Sequence, residues 1–181
     1  MKFVETPLRG AYVLELERFE DERGFFARTF CEDEFRARGL DPRVAQCNVS
    51  FNEKNGTLRG MHYQAAPHDE TKLVRCTMGA IHDVVVDLRR DSVTYRKAFA
   101  VELAAQNRLM LYIPTGFAHG FITLTDHTEM HYQMSKAYAP GSRRGFRWDD
   151  PTFAVEWPRQ PSLLSAQDAA WPPFVASDAP F

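Results

Sequence analysis

The sequence predicts an all-β protein, two antiparallel sheets folded as a jelly-roll sandwich or barrel with a few short helices. Three observations predict it. Short runs rich in β-branched and aromatic residues follow one another along most of the chain, many alternating with period two. Turn pairs such as Asn55-Gly56 and Gly79-Ala80 separate them. Helix signals are confined to two brief stretches, so strands divided by turns must supply nearly all the regular structure.

The elements follow in order. Residues 11–16 read as a first strand, Asp21-Glu-Arg-Gly24 as a turn and residues 25–30 as a second strand. Residues 31–38 form a short helix candidate, with Gly39 as its stop signal. Residues 44–52 look extended, and Glu53-Lys-Asn-Gly56 is a hairpin-type turn. Strands then dominate. Residues 57–63 alternate, 72–78 and 81–88 flank Gly79-Ala80, 97–103 and 109–113 flank a turn with Asn107, and 120–124 and 129–135 flank Asp126-His127. After Trp157-Pro158 the chain turns proline-rich, with one short helix expected to start at Ser165, where Asp168 follows in a capping-box-like pattern. Residues 1–181 are read as a single jelly-roll domain of the cupin type, with a C-terminal extension from about residue 159.

Composition bounds the function. The chain has 181 residues, 44% hydrophobic and 25% charged, enough for one domain with a sizeable core. A net charge of −2 argues against nucleic acid as a partner. A small anionic ligand needs only two or three local cations and stays open. No apolar run reaches bilayer-spanning length, and Met-Lys-Phe-Val-Glu-Thr-Pro at the N-terminus has no apolar signal core. Cys31, Cys47 and Cys76 are far apart and form no CxxC pair, so a reducing cytoplasm is the simplest setting. Cys47 and Cys76 read as small buried hydrophobes.

Period-two geometry places the polar residues. On 129–135, Met130, Tyr132 and Met134 share the more apolar face, so Tyr132 should point inward. His62 shares parity with Leu58, Gly60 and Gln64, Lys72 with Val74 and Cys76, and Asp83 with Ile81 and Val85. Several ionisable groups inside a small barrel indicate a binding or catalytic cavity, because burying charge for stability alone is costly. Arg59, of opposite parity to His62, is expected to reach a phosphate at the strand edge.

Two chemistries compete for His62. Metal-binding cupins bring about three imidazoles and a carboxylate onto one ion. Pro114-Thr-Gly116-Phe-Ala-His119 supplies half of that pattern, but Gln64 follows His62 where a second histidine would be wanted, and Lys72 would repel a cation. Metal-free acid–base chemistry fits better. A neutral histidine accepts a proton, a lysine stabilises an oxyanion and a tyrosine returns a proton, which suits proton removal next to a ketone without any cofactor.

The motifs run Asp21-Glu-Arg-Gly-Phe-Phe26, Gln46-Cys-Asn48, Leu58-Arg-Gly-Met-His-Tyr-Gln64, Lys72-Leu-Val-Arg75, Ile81-His-Asp-Val-Val-Val-Asp-Leu-Arg89, Ile113-Pro-Thr-Gly-Phe-Ala-His-Gly-Phe121, Trp148-Asp-Asp-Pro151 and Trp157-Pro158. In this order and at these spacings the chain resembles the dTDP-4-dehydrorhamnose 3,5-epimerase family of the cupin superfamily, over about residues 4–170. The resemblance implies cofactor-independent epimerisation of dTDP-4-dehydro-6-deoxy-D-glucose at C3 and C5, giving dTDP-4-dehydro-L-rhamnose for cell-surface polysaccharide. It implies that His62 is the general base, that Asp168 orients it, that Lys72 holds the enolate oxygen and that Tyr132 reprotonates from the opposite face. It implies that Arg23, Arg59 and His119 hold sugar and pyrophosphate. Gln46, Asn48 and Tyr138 would contact the nucleotide, Tyr138 by stacking on the base. It also implies a homodimer in which the segment around Arg23 completes the partner's site.

The chain departs from the family's usual pattern at Arg28 and Arg143, where glutamates are usual, and at Gln167, where a lysine is common. These positions belong to the substrate-contacting set, so the nucleotide, the sugar or the number of centres inverted is the property they put in question. The alternatives are a C3-only or C5-only epimerase on a CDP- or GDP-linked sugar, a metal-dependent cupin oxygenase, and a non-catalytic nucleotide-sugar binder. Plainer readings stand beside the sharp ones. His119 is also explained by turn packing, Tyr132 by barrel filling, and Asp168 by its helix start. Asp83 and Asp87 would brace histidines or pair with arginines, His82 faces away from Asp83, and Arg143-Arg144 reads as a solvated pair. Phe25, Phe26 and Phe121 are candidates to line the cavity.

Overall fold

Alternation along the strands sorts side chains into inner and outer faces, and the sheets stack accordingly. A computed structural model describes residues 1–176; residues 177–181, the end of the expected C-terminal extension, lie outside the described residues. In chain order the strands are β1 (Lys2–Glu5), β2 (Tyr12–Glu15), β3 (Arg18–Asp21), β4 (Gly24–Ala27), β5 (Gln46–Asn52), β6 (Leu58–Gln64) and β7 (Lys72–Met78). They continue with β8 (Ala80–Asp87), β9 (Ala98–Ala104), β10 (Met110–Ile113), β11 (Phe117–Thr123), β12 (Thr128–Met134) and β13 (Arg143–Gly145). Two short helices, α1 (Glu32–Arg36) and α2 (Ala166–Ala169), interrupt them. One antiparallel sheet has the order β1-β2-β10-β7-β12-β5, the other β13-β6-β11-β8-β9, and β3 pairs with β4 as a separate hairpin. Sequence-distant neighbours within each sheet make this a jelly roll.

The core lies between the sheets, where Val74 and Cys76 of β7 and Met130 of β12 meet Ile81 and Val85 of β8 and Phe121 of β11. Both outer faces are also covered. Met61, Tyr63, Val84 and Val86 point outward and pack under Phe146, Phe153, Trp157 and Phe174 of the C-terminal segment. Leu14, Leu73 and Met110 pack under Phe35 of α1. Among the described residues no helix is long and apolar enough to cross a membrane.

Most expected elements are present, with ends shifted by a few residues. The exceptions share a cause. β1 has two apolar residues, β13 is Arg-Arg-Gly, and β3 carries charges at three of four positions. Their extended form comes from cross-strand pairing and not from local propensity. Cys76 is buried as expected, but Cys47 is exposed, because β5 is an edge strand of its sheet.

The C-terminal extension is tied back to the barrel. Leu58 donates from its backbone to Leu163 O at 2.9 Å, and Arg147 to Pro172 O at 3.1 Å. This return path carries α2 to the mouth of the cavity.

The β6–β11 pairing slips by one residue, with His119 opposite His62 but Phe121 opposite Arg59. The slip is centred on Gly60, at φ +142°, where a Cβ would fall 2.6 Å from the Gly120 Cα. Gly60→Ala should therefore destabilise the fold by about 3 kcal/mol, from forbidden backbone and a clash that neither strand can relieve. Urea unfolding measures it, and a loss under about 0.5 kcal/mol would show that the strands can separate there.

Candidate active site

A cavity of about 440 Å³ opens between the inner faces of the two sheets, and both contribute chemistry to it. From the five-stranded sheet come Arg59, His62, His119, Phe121 and Arg143. From the six-stranded sheet come Asn48, Ser50, Lys72, Tyr132 and Met134, and Ser165, Gln167 and Asp168 close one side from the extension. The slip at Gly60 explains why Arg59 and His62, three residues apart, both reach the cavity. Arg59 is thus a cavity residue and not the strand-edge residue that plain alternation predicts. Its Nε donates to Asn52 Oδ1 at 2.7 Å.

His62 and Asp168 form a dyad across 106 residues of sequence, with Nε2 and Oδ1 2.5 Å apart. Two features place Asp168. The Ser165 hydroxyl accepts from the Asp168 backbone N–H at 3.0 Å, so the capping pattern is real. The Asp168 side chain does not complete a capping box and turns to His62 instead. Burial pushes the His62 pKa below its usual value. The Asp168 hydrogen bond and charge act the other way, while the cations Arg143 and Lys72 add to the lowering. Burial opposes ionisation of Asp168 too, but its bonds with His62 and Ser165 outweigh that and hold its pKa below the usual carboxylate value. The resting state is a neutral imidazole donating Nε2–H to a carboxylate. The other ring nitrogen, Nδ1, keeps the lone pair and has no hydrogen-bond partner among the described residues.

Tyr132 stands on the facing sheet. Its hydroxyl is 3.0 Å from Ser50 Oγ, and burial pushes its pKa up to about 12, so it holds its proton at neutral pH. Lys72, next to β12 through the Met134 pairing, has Nζ 3.3 Å from Glu70 Oε1. Gln64 donates to the other Glu70 oxygen at 2.8 Å, which fixes the carboxylate behind the lysine. Burial raises the Glu70 pKa, against the lowering influence of Lys72 and Gln64. His119 bonds Asp83 at 2.7 Å, so Asp83 braces a histidine, and Asp87 pairs with Arg89 at 2.8 Å. Among the described residues no three His, Cys, Asp or Glu side chains converge in a metal-binding group.

A base and an acid on opposite walls, with a cation beside them, suit removal and return of a proton at a carbon. The sequence profile described as dTDP-4-dehydrorhamnose 3,5-epimerase matches residues 5–176. The chain belongs to the dTDP-4-dehydrorhamnose 3,5-epimerase family. The protein of that name from Shigella flexneri is 41% identical over 98% of each chain. The crystal structure of the one from Elizabethkingia anophelis NUHP1 superposes with a TM-score of 0.94 at 37% identity, covering 100% of this chain and 99% of that one. The one from Bacillus anthracis str. Ames, solved with TDP and PPi bound, has a TM-score of 0.91 at 38% identity, covering 96% and 99%.

As an epimerase of this family the chain is an isomerase, and seven of its expected site residues line one cavity: Asn48, Arg59, His62, Lys72, His119, Tyr132 and Asp168. Three others do not. Gln46 and Tyr138 lie beyond Met134, with the Tyr138 backbone N–H donating to Gln46 Oε1 at 2.7 Å and the Tyr138 ring half exposed. Arg23 sits at the tip of the β3–β4 hairpin, its side chain 85% exposed and paired with Asp21. Phe121 lines the cavity, whereas Phe25 and Phe26 lie on that hairpin. His82 packs toward Trp157, away from the site.

Glu70 was not legible as a site residue. The available signal was its position two residues before Lys72, on the same side of an extended chain. The solvated-pair reading of Arg143-Arg144 holds for Arg144 only, which is exposed and bonds Gly141 O. Arg143 points into the cavity, because the pairing of β13 with β6 aims it there. Arg28 is exposed and pairs with Glu34 at 3.3 Å.

Proposed function

We propose that this epimerase acts on dTDP-4-dehydro-6-deoxy-D-glucose and inverts C3 and C5 in turn, giving dTDP-4-dehydro-L-rhamnose. The observation that carries this reading is the placement of His62 and Tyr132 on opposing sheets around one cavity. His62 Nδ1 takes the proton from carbon, and the C–H electrons move into the C4 carbonyl as an enolate. The Lys72 ammonium holds the developing oxyanion. Tyr132 gives its hydroxyl proton to the opposite face of the same carbon, which inverts it. Solvent then returns a proton to the phenolate and takes one from the imidazolium, so the cycle closes without a cofactor. Asp168 keeps Nε2–H oriented and stabilises the imidazolium that forms.

The nucleotide reading is supported by the TDP held by the Bacillus anthracis relative and by Arg59 at the cavity. We assign two copies to the working unit, with the β3–β4 hairpin delivering Arg23 to the partner's cavity. The hairpin's cross-strand pair Phe19 and Phe26 is 69% and 73% exposed, which favours cover by another surface. A cytoplasmic setting is in keeping with the free Cys31, Cys47 and Cys76, and the product suits cell-surface polysaccharide synthesis.

The test is turnover of dTDP-, CDP- and GDP-linked 4-keto-6-deoxyglucose in heavy water. Deuterium at both C3 and C5 of the dTDP sugar is expected. Incorporation at one carbon, or none, would overturn the double inversion. Tyr132→Phe separates the two half-reactions. Exchange at the carbon on the His62 side should persist at a tenth of the native rate or more, while inverted product falls about 10²-fold. Parallel losses of exchange and inversion would remove Tyr132 as the acid.

A further inference from the structure

Arg143 has no part in the chemistry above, yet it touches the base. β13 pairs with β6 so that Arg143 lies opposite Gln64 and Gly145 opposite His62. Arg143 Nη2 stands 3.1 Å from His62 Nε2 and 3.7 Å from Asp168 Oδ1. Its Nη1 donates to Gln167 Oε1 at 2.6 Å, and the guanidinium carbon is 5.9 Å from the Trp171 ring centre. Trp171 is itself seated against Gly145, where a Cβ would fall 2.5 Å from Trp171 Cε2. The guanidinium therefore sits in a built cradle of β13 and the C-terminal extension. Since Nε2 already gives its hydrogen to Asp168, Arg143 faces an N–H and not a lone pair. That arrangement is comfortable only while the imidazole is neutral. Once Nδ1 takes a proton, two cations share one carboxylate.

We propose that Arg143 sets how readily His62 takes up a proton, acting as a positioning residue that holds a positive charge beside the dyad without touching the reacting carbon. This rests on His62 being the base. The groups around His62 are Asp168 of α2, which favours its protonation, and Arg143 of β13 and Lys72 of β7, which oppose it. His119 of β11 lies opposite it in the sheet and is occupied by Asp83, Arg59 shares its strand, and Tyr132 faces it from β12. The direction of the His62 shift agrees, with burial the largest cause and Arg143 acting the same way. With the cation in place the base stays neutral, and so competent, to lower pH than burial and Lys72 alone would keep it.

The experiment is a graded charge series on the full chain: wild type, Arg143→Lys, Arg143→Gln and Arg143→Glu. The His62 ring is titrated by NMR, its resonance assigned by loss in His62→Asn, and the acid limb of kcat/KM for exchange is measured alongside. Arg143→Lys should leave the His62 midpoint near wild type. Arg143→Gln should raise its proton affinity about threefold or more, and Arg143→Glu further, with the acid limb following. A His62 midpoint unmoved in both Arg143→Gln and Arg143→Glu, or moved as far by Arg143→Lys as by Arg143→Gln, overturns the inference. The NMR titration reads His62 whether or not the protein epimerises. Failure of the base assignment would show separately, as exchange that survives in His62→Ala.

Discussion

His62→Ala should reduce carbon–hydrogen exchange on the 4-keto sugar by about 10²–10⁴-fold, the range expected for loss of a positioned base. Nothing nearby can replace it. His119 is held by Asp83, and Tyr132, with its pKa pushed to about 12 by burial, is an acid at neutral pH. Binding of dTDP should survive, because Asn48 meets the cavity from β5 and Arg59, on the same strand as His62, is held separately by Asn52. Deuterium wash-in by NMR reads the chemistry, and calorimetry with dTDP reads the binding. Native exchange in the variant would remove His62 as the base. Burial favours the neutral form of His62, so the acid limb of the rate should be displaced to lower pH than an ordinary histidine would give.

Lys72→Met should lower kcat by about 10²–10³-fold, the usual cost of removing one donor from a developing oxyanion. The substitution keeps the length and the apolar stem of the side chain, so the cavity wall is preserved. It also leaves Glu70 without its cation, in a site that already raises the carboxyl pKa by burial. The Glu70 pKa should then rise further, while the carboxyl keeps its bond from Gln64. A kcat loss of less than tenfold would place Lys72 in binding or packing and not at the enolate.

Much of this could be read from the chain because local rules and tertiary structure agree in the central strands. Tyr132 faces inward with Met130 and Met134, and Lys72 with Val74 and Cys76, as alternation requires. The Ser165 cap on the Asp168 backbone was likewise present in the sequence as a local pattern. What alternation could not give was Arg59, because one slipped residue at Gly60 reverses the parity that the strand otherwise keeps. Family resemblance puts Arg143 among the substrate-contacting positions, but local reading makes it half of a solvated pair. Arg-Arg-Gly has no strand propensity, and only pairing with β6 decides which arginine faces His62. Glu70 lies in the connection before β7, outside the strand over which alternation is read, so only its two-residue spacing from Lys72 hints at it. The misses therefore cluster where long-range pairing, and not the local sequence, aims the side chain.

The tether between β6 and α2 has a meaning for how the site is completed. His62 is specified early in the chain and Asp168 near its end, after the thirteen strands of the described residues. His62 therefore gains its carboxylate neighbour only from the docked tail, not from the sheet that carries it. Docking of the tail through Leu163 and Pro172 brings Asp168, Gln167 and Trp171 to the cavity mouth together. A cleavage in the proline-rich stretch would therefore part Asp168 from His62 while leaving β1 to β13 on one fragment.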